Sequence, residues 1–350
     1  MTSITRPVLE RQYWDAKERG ALRRSSNAGV LKMTGGDSLD LLHRLTTQDL
    51  HALASGQGQT TVLTSDKGRI IDLLDVLAFD DHLLLLTSPG NQSAVVKWLS
   101  KYTIIEDSET VDVTTAWDVL LFFGARAAKL AEELIGDSVT TLPPRHHLPI
   151  ALGAAEGTLQ RTRSPVGEGF HLIVPCQEAS QAWDALTAAG RALGIGEVAP
   201  EAYEALRIEA GLPAHAAELD ERYNPLEAGL MQHISFDKGC YIGQEVIARL
   251  DTYDKVQRRL MGLLPSGETL IPPGVNLIAN GKDAGVVTSS AYSLGIGGGI
   301  CLAMVRRAHA EAGRPLLALV DGVERVVEMT DLPFHVPPSS NPSPITRQVE

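Results

Sequence analysis

The texture of the chain changes near residue 256, and this change constrains the fold more than any single motif. Upstream, helical and strand-like periods alternate. Downstream come short β-like runs punctuated by Gly and Pro: "RRLMGLLP", "GVNLIAN", "AGVVTSSAY", "GICLAMV", "PLLALV" and "ERVVEM". Many short strands with that punctuation read as a small all-β barrel or sandwich over residues 256–335. The polar, proline-rich remainder, 336–350, reads as a disordered tail.

The upstream part is too long for one ordinary core, given a prior of roughly 150 residues per domain. Residues 8–24 read as a charged helix, "GVLKMTG" as a strand, and "GDSLDLLHRLTTQDL" as a helix with Leu39, Leu42 and Leu45 at helical spacing. "GQTTVLTSDKGRIIDLLDVLAFDDHLLLLTS" reads as two or three strands hinged at Asp66-Lys67-Gly68 and Asp80-Asp81. A helix (89–102), a strand (111–124) and a helix (125–136) follow, then a linker-like "TLPPRHHLPIA". A second mixed section has strands over 157–175 and helices over 178–194 and 199–212.

Charge and cysteine usage narrow the function classes. A net charge of −12 argues against binding to duplex nucleic acid. Cys176, Cys240 and Cys301 are far apart, with no CxxC pair, which fits a reducing, cytoplasmic setting rather than a disulfide framework. An iron–sulfur cluster held by this chain alone would want about four thiolates. The N-terminus shows no apolar signal region, and the most apolar window is interrupted by Asp72, Asp75, Asp80 and Asp81, so no membrane span is expected. Metal-ligand spacing is absent: His146-His147 has no suitably spaced partners.

Several residues are candidates for chemistry. Cys240, in "KGCYIGQEVIAR", sits ahead of a helix-like run with Lys238 two residues away, a setting that favours thiolate. A free cysteine is also commonly a small buried residue. Glu209, at a helix-to-loop transition in "RIEAGLPAHAAELDERYNPLEAGL", offers a carboxylate for the paired N–H donors of a heterocycle. An ion pair with Arg207 or Arg222 is the plainer alternative. Asp72, among apolar neighbours on a strand, faces either solvent or a site that shifts its pKa.

Taken together, "LLHRLTTQDL", "LTSDKGRIIDLLDV", "LRIEAGLPAHAAELDERYNPLEAGL" and "VTSSAYS" resemble, in order, segments of the YgfZ/GcvT family of folate-binding proteins. The resemblance covers residues 10 to 335. Lys238–Glu245, "KGCYIGQE", resembles the signature of the YgfZ branch; aminomethyltransferases carry an aspartate where this chain has Cys240. The chain departs from the T-protein pattern near Thr87, where that pattern has Asn.

The resemblance implies an α+β fold of three domains in a cloverleaf. A discontinuous folate-binding α+β domain would take 1–50 and 145–255, a ferredoxin-like α+β domain 51–144, and a C-terminal β-barrel 256–335. It implies tetrahydrofolate or a one-carbon derivative as cofactor. Asp72 and Glu209 would line the pterin site, with Lys238, Tyr241 and Arg249 among the binding residues, and Cys240 and Asp72 would be catalytic. The function expected first is a tetrahydrofolate-dependent factor for iron–sulfur cluster assembly or repair, with iron–sulfur client or assembly proteins as partners. The alternatives are a folate-dependent aminomethyl- or methyltransferase and a non-enzymatic folate sensor or scaffold.

Overall fold

The computed structural model describes residues 6–24, 28–152, 155–267 and 269–336. Beyond Val336, the tail expected to be disordered lies outside the described residues. The chain forms two α+β domains and a closed six-stranded barrel.

The five-stranded sheet runs Gly58–Thr64, Ile70–Ala78, Leu83–Thr87, Gly29–Thr34, Glu109–Asp112 in spatial order. The helices Ser38–Leu45 and Gln92–Tyr102 cover one face, burying Leu41, Leu42, Leu45, Val95 and Leu99 against Leu74, Val76 and Leu85. The six-stranded sheet runs Gly196–Glu197, Ala21–Arg24, Trp117–Gly124, Glu168–Pro175, Ala155–Arg163, His147–Leu152. It buries Phe122, Phe170, Leu172 and Val174 under the helices Ala127–Ile135 and Ala179–Ala192. The uncovered faces of the two sheets meet through Val30, Leu77, Leu84, Leu86, Val119 and Ile173.

Strands change sheet at places other than the boundaries expected at residues 50 and 144. Gly29–Thr34 pairs with Leu83–Thr87 and with Glu109–Asp112, while Trp117–Gly124 pairs with Ala21–Arg24 and Glu168–Pro175. The apolar run of residues 83–86 takes the apolar Val30-Leu31 as its neighbour, and burial of that pair overrides closeness in sequence.

Two local readings change as well. The helix expected over 8–24 ends at Glu18, and Ala21–Arg24 is a strand. Gly20 turns the chain between them at φ +146°, where a Cβ would lie 2.5 Å from the Phe123 carbonyl oxygen. The segment read as a linker holds the strand His147–Leu152. It lies at the sheet edge, where Pro149 is tolerated because no neighbour needs its missing N–H.

The barrel closes in the order Arg258–Pro265, Gly298–Arg306, Lys282–Ser293, Asn276–Ala279, Pro315–Val320, Val323–Thr330. Two of its hairpins turn on Asn280-Gly281 and Asp321-Gly322, all four residues at positive φ, which matches the right-handed twist of the flanking strands. Gly298–Arg306 is buried on both faces. Cys301, Ala303 and Val305 fill the interior, while Ile300, Leu302 and Met304 pack outward on Val62, Ile70, Ile208 and Tyr223. This second face fastens the barrel to the α+β part.

Candidate functional site

The residues singled out from sequence divide by one criterion: whether the protein already satisfies their polar atoms. Glu209 ends the helix Pro200–Glu209, and its carboxylate is saturated. Tyr13 and Ser293 hydroxyls both donate to Oε1 at 2.5 Å, and Lys17 Nζ donates to Oε2 at 2.9 Å. Neither Arg207 nor Arg222 is its partner; they pair with Glu204 and Glu218, and with Asp220.

Asp72 is wholly buried. Its Oδ1 accepts the Leu73 N–H at 2.8 Å and its Oδ2 the Ser88 N–H at 3.0 Å. Burial pushes its pKa up, against the hydrogen bonds that hold the ionised form. Asn91 donates to the neighbouring Ile71 carbonyl at 2.9 Å. Asp72 thus ties its strand to the turn that starts the helix Gln92–Tyr102. A β-bulge at this point puts Ile71 and Leu74 on the helix-covered face, while Leu73 packs on the opposite one.

Lys238 reaches away from Cys240. Its ammonium donates to the carbonyls of His43, Thr46 and Gln48 at 2.6, 2.8 and 2.8 Å, closing the C-terminus of the helix Ser38–Leu45. All three of its protons are engaged, and burial lowers its pKa to about 8. Tyr241 is packed with Ile234 and Ile247, its pKa raised to about 12 by burial. Cys240 is free and exposed. It lies three residues before Gly243, the φ +84° cap of the helix Gln244–Thr252, so it is not at the helix terminus itself. Arg249 is exposed on that helix.

Polar side chains gather instead where the uncovered faces of the two sheets stand apart. Along Ile70–Ala78, Asp75 shares the uncovered face with Leu77; along Glu168–Pro175, His171 shares it with Ile173. The apolar cluster of Leu77 and Ile173 closes the sheets together at one end. At the other, Asp75 and His171 keep accessible surface although they lie mid-strand, so the sheets stand apart there. Thr60 donates to Asp75 Oδ1 at 2.5 Å, leaving Oδ2 unbonded. Gln160 Oε1 lies 3.1 Å from His171 Nδ1, so that nitrogen donates and Nε2 remains an acceptor. Burial lowers the His171 pKa, with Asp75 acting against it.

His233, 3% exposed, stands beside this group, and its Nε2 lies 3.2 Å from the Gln232 side-chain amide nitrogen. Burial, then Arg145, lower its pKa to about 4 while Asp75 and a hydrogen bond with the Thr60 backbone oppose them, so the ring is neutral. Thr60, Asp75, Arg145, Gln160, Arg163, His171 and His233 were not among the residues selected from sequence. The available signal was a lone polar residue on an otherwise apolar strand face, as His171 is in "GFHLIV".

Comparison with known proteins gives this arrangement a family. The GCVT N-terminal domain matches residues 2–238, and the glycine cleavage T-protein C-terminal barrel domain matches 258–335. The chain belongs to the glycine cleavage T-protein family. A putative chloroplastic transferase of Arabidopsis thaliana is 33% identical over 326 residues, covering 91% of this chain and 72% of that one. An aminomethyltransferase of Thermotoga petrophila is 27% identical over 288 residues, 81% of this chain and 77% of its own. The crystal structure of the glycine cleavage system aminomethyltransferase T from Bartonella henselae superposes with a TM-score of 0.83 at 20% identity. It covers 94% of this chain and 89% of that one. The T-protein fold is therefore shared through both α+β domains and the barrel.

Proposed function

We propose that this T-protein family member is a tetrahydrofolate-dependent one-carbon transferase whose reactants meet in the gap between the two sheets. The observation that carries the reading is the pair of acceptors left unused there, Asp75 Oδ2 and His171 Nε2. Polar side chains that face a space inside the fold with hydrogen-bonding atoms to spare mark a place for a polar ligand.

A reduced folate fits these acceptors. Its amino-pyrimidinone edge presents N–H donors, which a carboxylate and a neutral imidazole accept. When bound, it supplies the nitrogens that carry the one-carbon unit. The chain's part is to hold and to move protons. Asp75 Oδ2 would accept an N–H or take a proton from an amine, with Thr60 fixing the carboxylate through Oδ1. His171, its Nδ1–H held by Gln160, would accept at Nε2. The apolar contact of Leu77 with Ile173 excludes water from one side of the gap, which strengthens each of these interactions. Asp72, Glu209, Lys238 and Tyr241 act here by holding strands, helices and loops in place.

Isothermal titration with tetrahydrofolate, followed by turnover with a methylated amine or an aminomethylated lipoyl carrier, tests the reading. Binding by the wild-type chain and a loss of about tenfold or more in Asp75→Asn are expected. Equal affinity in both would remove Asp75 from the site.

The exposure of Cys240 favours a second reading, in which a folate-bound form of this chain supports iron–sulfur cluster assembly or repair through that thiol. Cys240→Ala would then keep folate binding yet fail to restore iron–sulfur enzyme activity in a deletion strain. Full rescue by this variant discards the idea.

A further inference from the structure

A cleft of about 510 Å³ lies between the helix Arg6–Glu18, the helix Pro200–Glu209 and the barrel strand Lys282–Ser293. None of Thr60, Asp75, Gln160, His171 and His233 lines it, so it is separate from the gap between the sheets. Ala202 and Ala205 stand three residues apart on one face of their helix. Side chains that short leave space between the three elements, and Leu9, Leu270, Ala291 and Leu294 complete the apolar walls. Leu270 is 50% exposed although it belongs to such a wall. Small-molecule clefts run to roughly 300–1,000 Å³ and recur where domains meet, as here between the α+β part and the barrel.

The charges round this cleft are acidic in excess. Arg6 donates to Glu10 at 3.0 Å, and Glu204 is held by the buried Arg207, which does not line the cleft. Glu201, exposed in the first turn of its helix, makes no hydrogen bond or ion pair through its side chain among the described residues. Tyr292 is half-buried in the cleft wall, and its hydroxyl is likewise unbonded among the described residues. Alone, Glu201 would be an ordinary solvated carboxylate. Its place on an apolar cleft singles it out. Three carboxylates against one arginine on the lining favour a cation over an anion, and the Tyr292 ring adds a surface that attracts positive charge.

We infer that this cleft binds a small organic amine, protonated at neutral pH and carried on an apolar body. The body displaces water from Leu9, Leu270 and Leu294, which gains hydrophobic free energy in proportion to the area covered. The ammonium meets Glu201 and the Tyr292 ring. A neutral apolar compound would gain only the first of these, and an anion would face the excess of carboxylates. The inference does not rest on the folate reading, because the cleft and the gap have separate linings.

The test uses the full chain and compares, by isothermal titration, tryptamine with tryptophol, which carries a hydroxyl in place of the ammonium on the same indole. Glu201→Gln and Leu270→Ser, both at exposed positions, are first checked for wild-type circular dichroism and melting. Wild type is expected to bind tryptamine about fivefold more tightly than tryptophol. Glu201→Gln should narrow that preference to about twofold, and Leu270→Ser should weaken both compounds while keeping their ratio. No binding of either compound, equal affinities in wild type, a preference unchanged in Glu201→Gln, or undiminished binding in Leu270→Ser overturns the inference. Sedimentation velocity tests the other occupant: a dimer that Leu270→Ser splits would give the cleft to a second copy of the chain and overturn the inference as well.

Discussion

The Tyr13 hydroxyl donates to Glu209 Oε1 at 2.5 Å, although 196 residues separate the two in sequence. The same oxygen accepts from Ser293 on the barrel, and Tyr13 Oη in turn accepts the Gly295 N–H at 3.0 Å. The N-terminal helix, the helix Pro200–Glu209 and a barrel strand therefore meet at one carboxylate. Tyr13→Phe removes a donor from a buried charge and an acceptor from a backbone N–H. A loss of about 1–3 kcal/mol in unfolding free energy is expected, read from denaturant midpoints at unchanged m-value. A shift of the midpoint within error would show that the network is not stabilising.

His233 makes stability depend on pH. Its folded pKa, about 4, lies below the ordinary value of 6.5. Between these values the unfolded chain binds the proton that the folded chain refuses. The contribution is fully present above pH 6.5 and is lost as pH falls toward 4, by on the order of 3 kcal/mol. His233→Gln should flatten the slope of unfolding free energy against pH in this window. A slope identical to wild type assigns the acid sensitivity to other groups.

The three thiols should separate by reactivity. Cys176 and Cys240 are exposed; Cys301 lies inside the barrel with its pKa raised to about 11 by burial. Titration of the native protein with a chromogenic disulfide is expected to modify the first two promptly and Cys301 only on unfolding. Mass mapping that finds Cys240 protected in the native state would place its thiol out of reach of any partner.

Gly58 is required by space rather than by backbone angle. A Cβ there would lie 2.3 Å from the Arg145 carbonyl oxygen and 2.9 Å from that of Val76. Neither atom belongs to a side chain that can swing away. Gly58→Ala should push the Arg145 turn off the five-stranded sheet, costing about 1–3 kcal/mol as overpacking does. Wild-type stability in a denaturant titration would mean that the two sheets move apart freely.

The barrel was legible because its cues are local: short apolar runs, Gly and Pro between them, and two-residue turns. Helices were legible for the same reason, from Leu39, Leu42 and Leu45 to the run after Gly243. The site was not. Asp72 and Asp75 lie three residues apart on one strand, and nothing in their spacing reveals the bulge that sets which residues face the helices. Lys238 stands two residues from Cys240 in sequence, but its side chain is long enough to reach carbonyls at residues 43, 46 and 48. The Asp75, His171 and His233 group forms only when two sheets from different stretches of the chain face each other. Alternation along a strand reports burial, not what stands opposite.

The pairing of Ala21–Arg24 with Trp117–Gly124 and Gly196–Glu197 also bears on synthesis. All strands of the five-stranded sheet lie between residues 29 and 112, so this unit has everything it needs once that stretch leaves the ribosome. The first helix and strand emerge earlier but must wait for partners still to be translated. Nascent chains arrested shortly after that sheet has cleared the exit tunnel should therefore resist protease over 29–112 while being cut within 6–24. Protection of both regions at that length would refute this order of assembly.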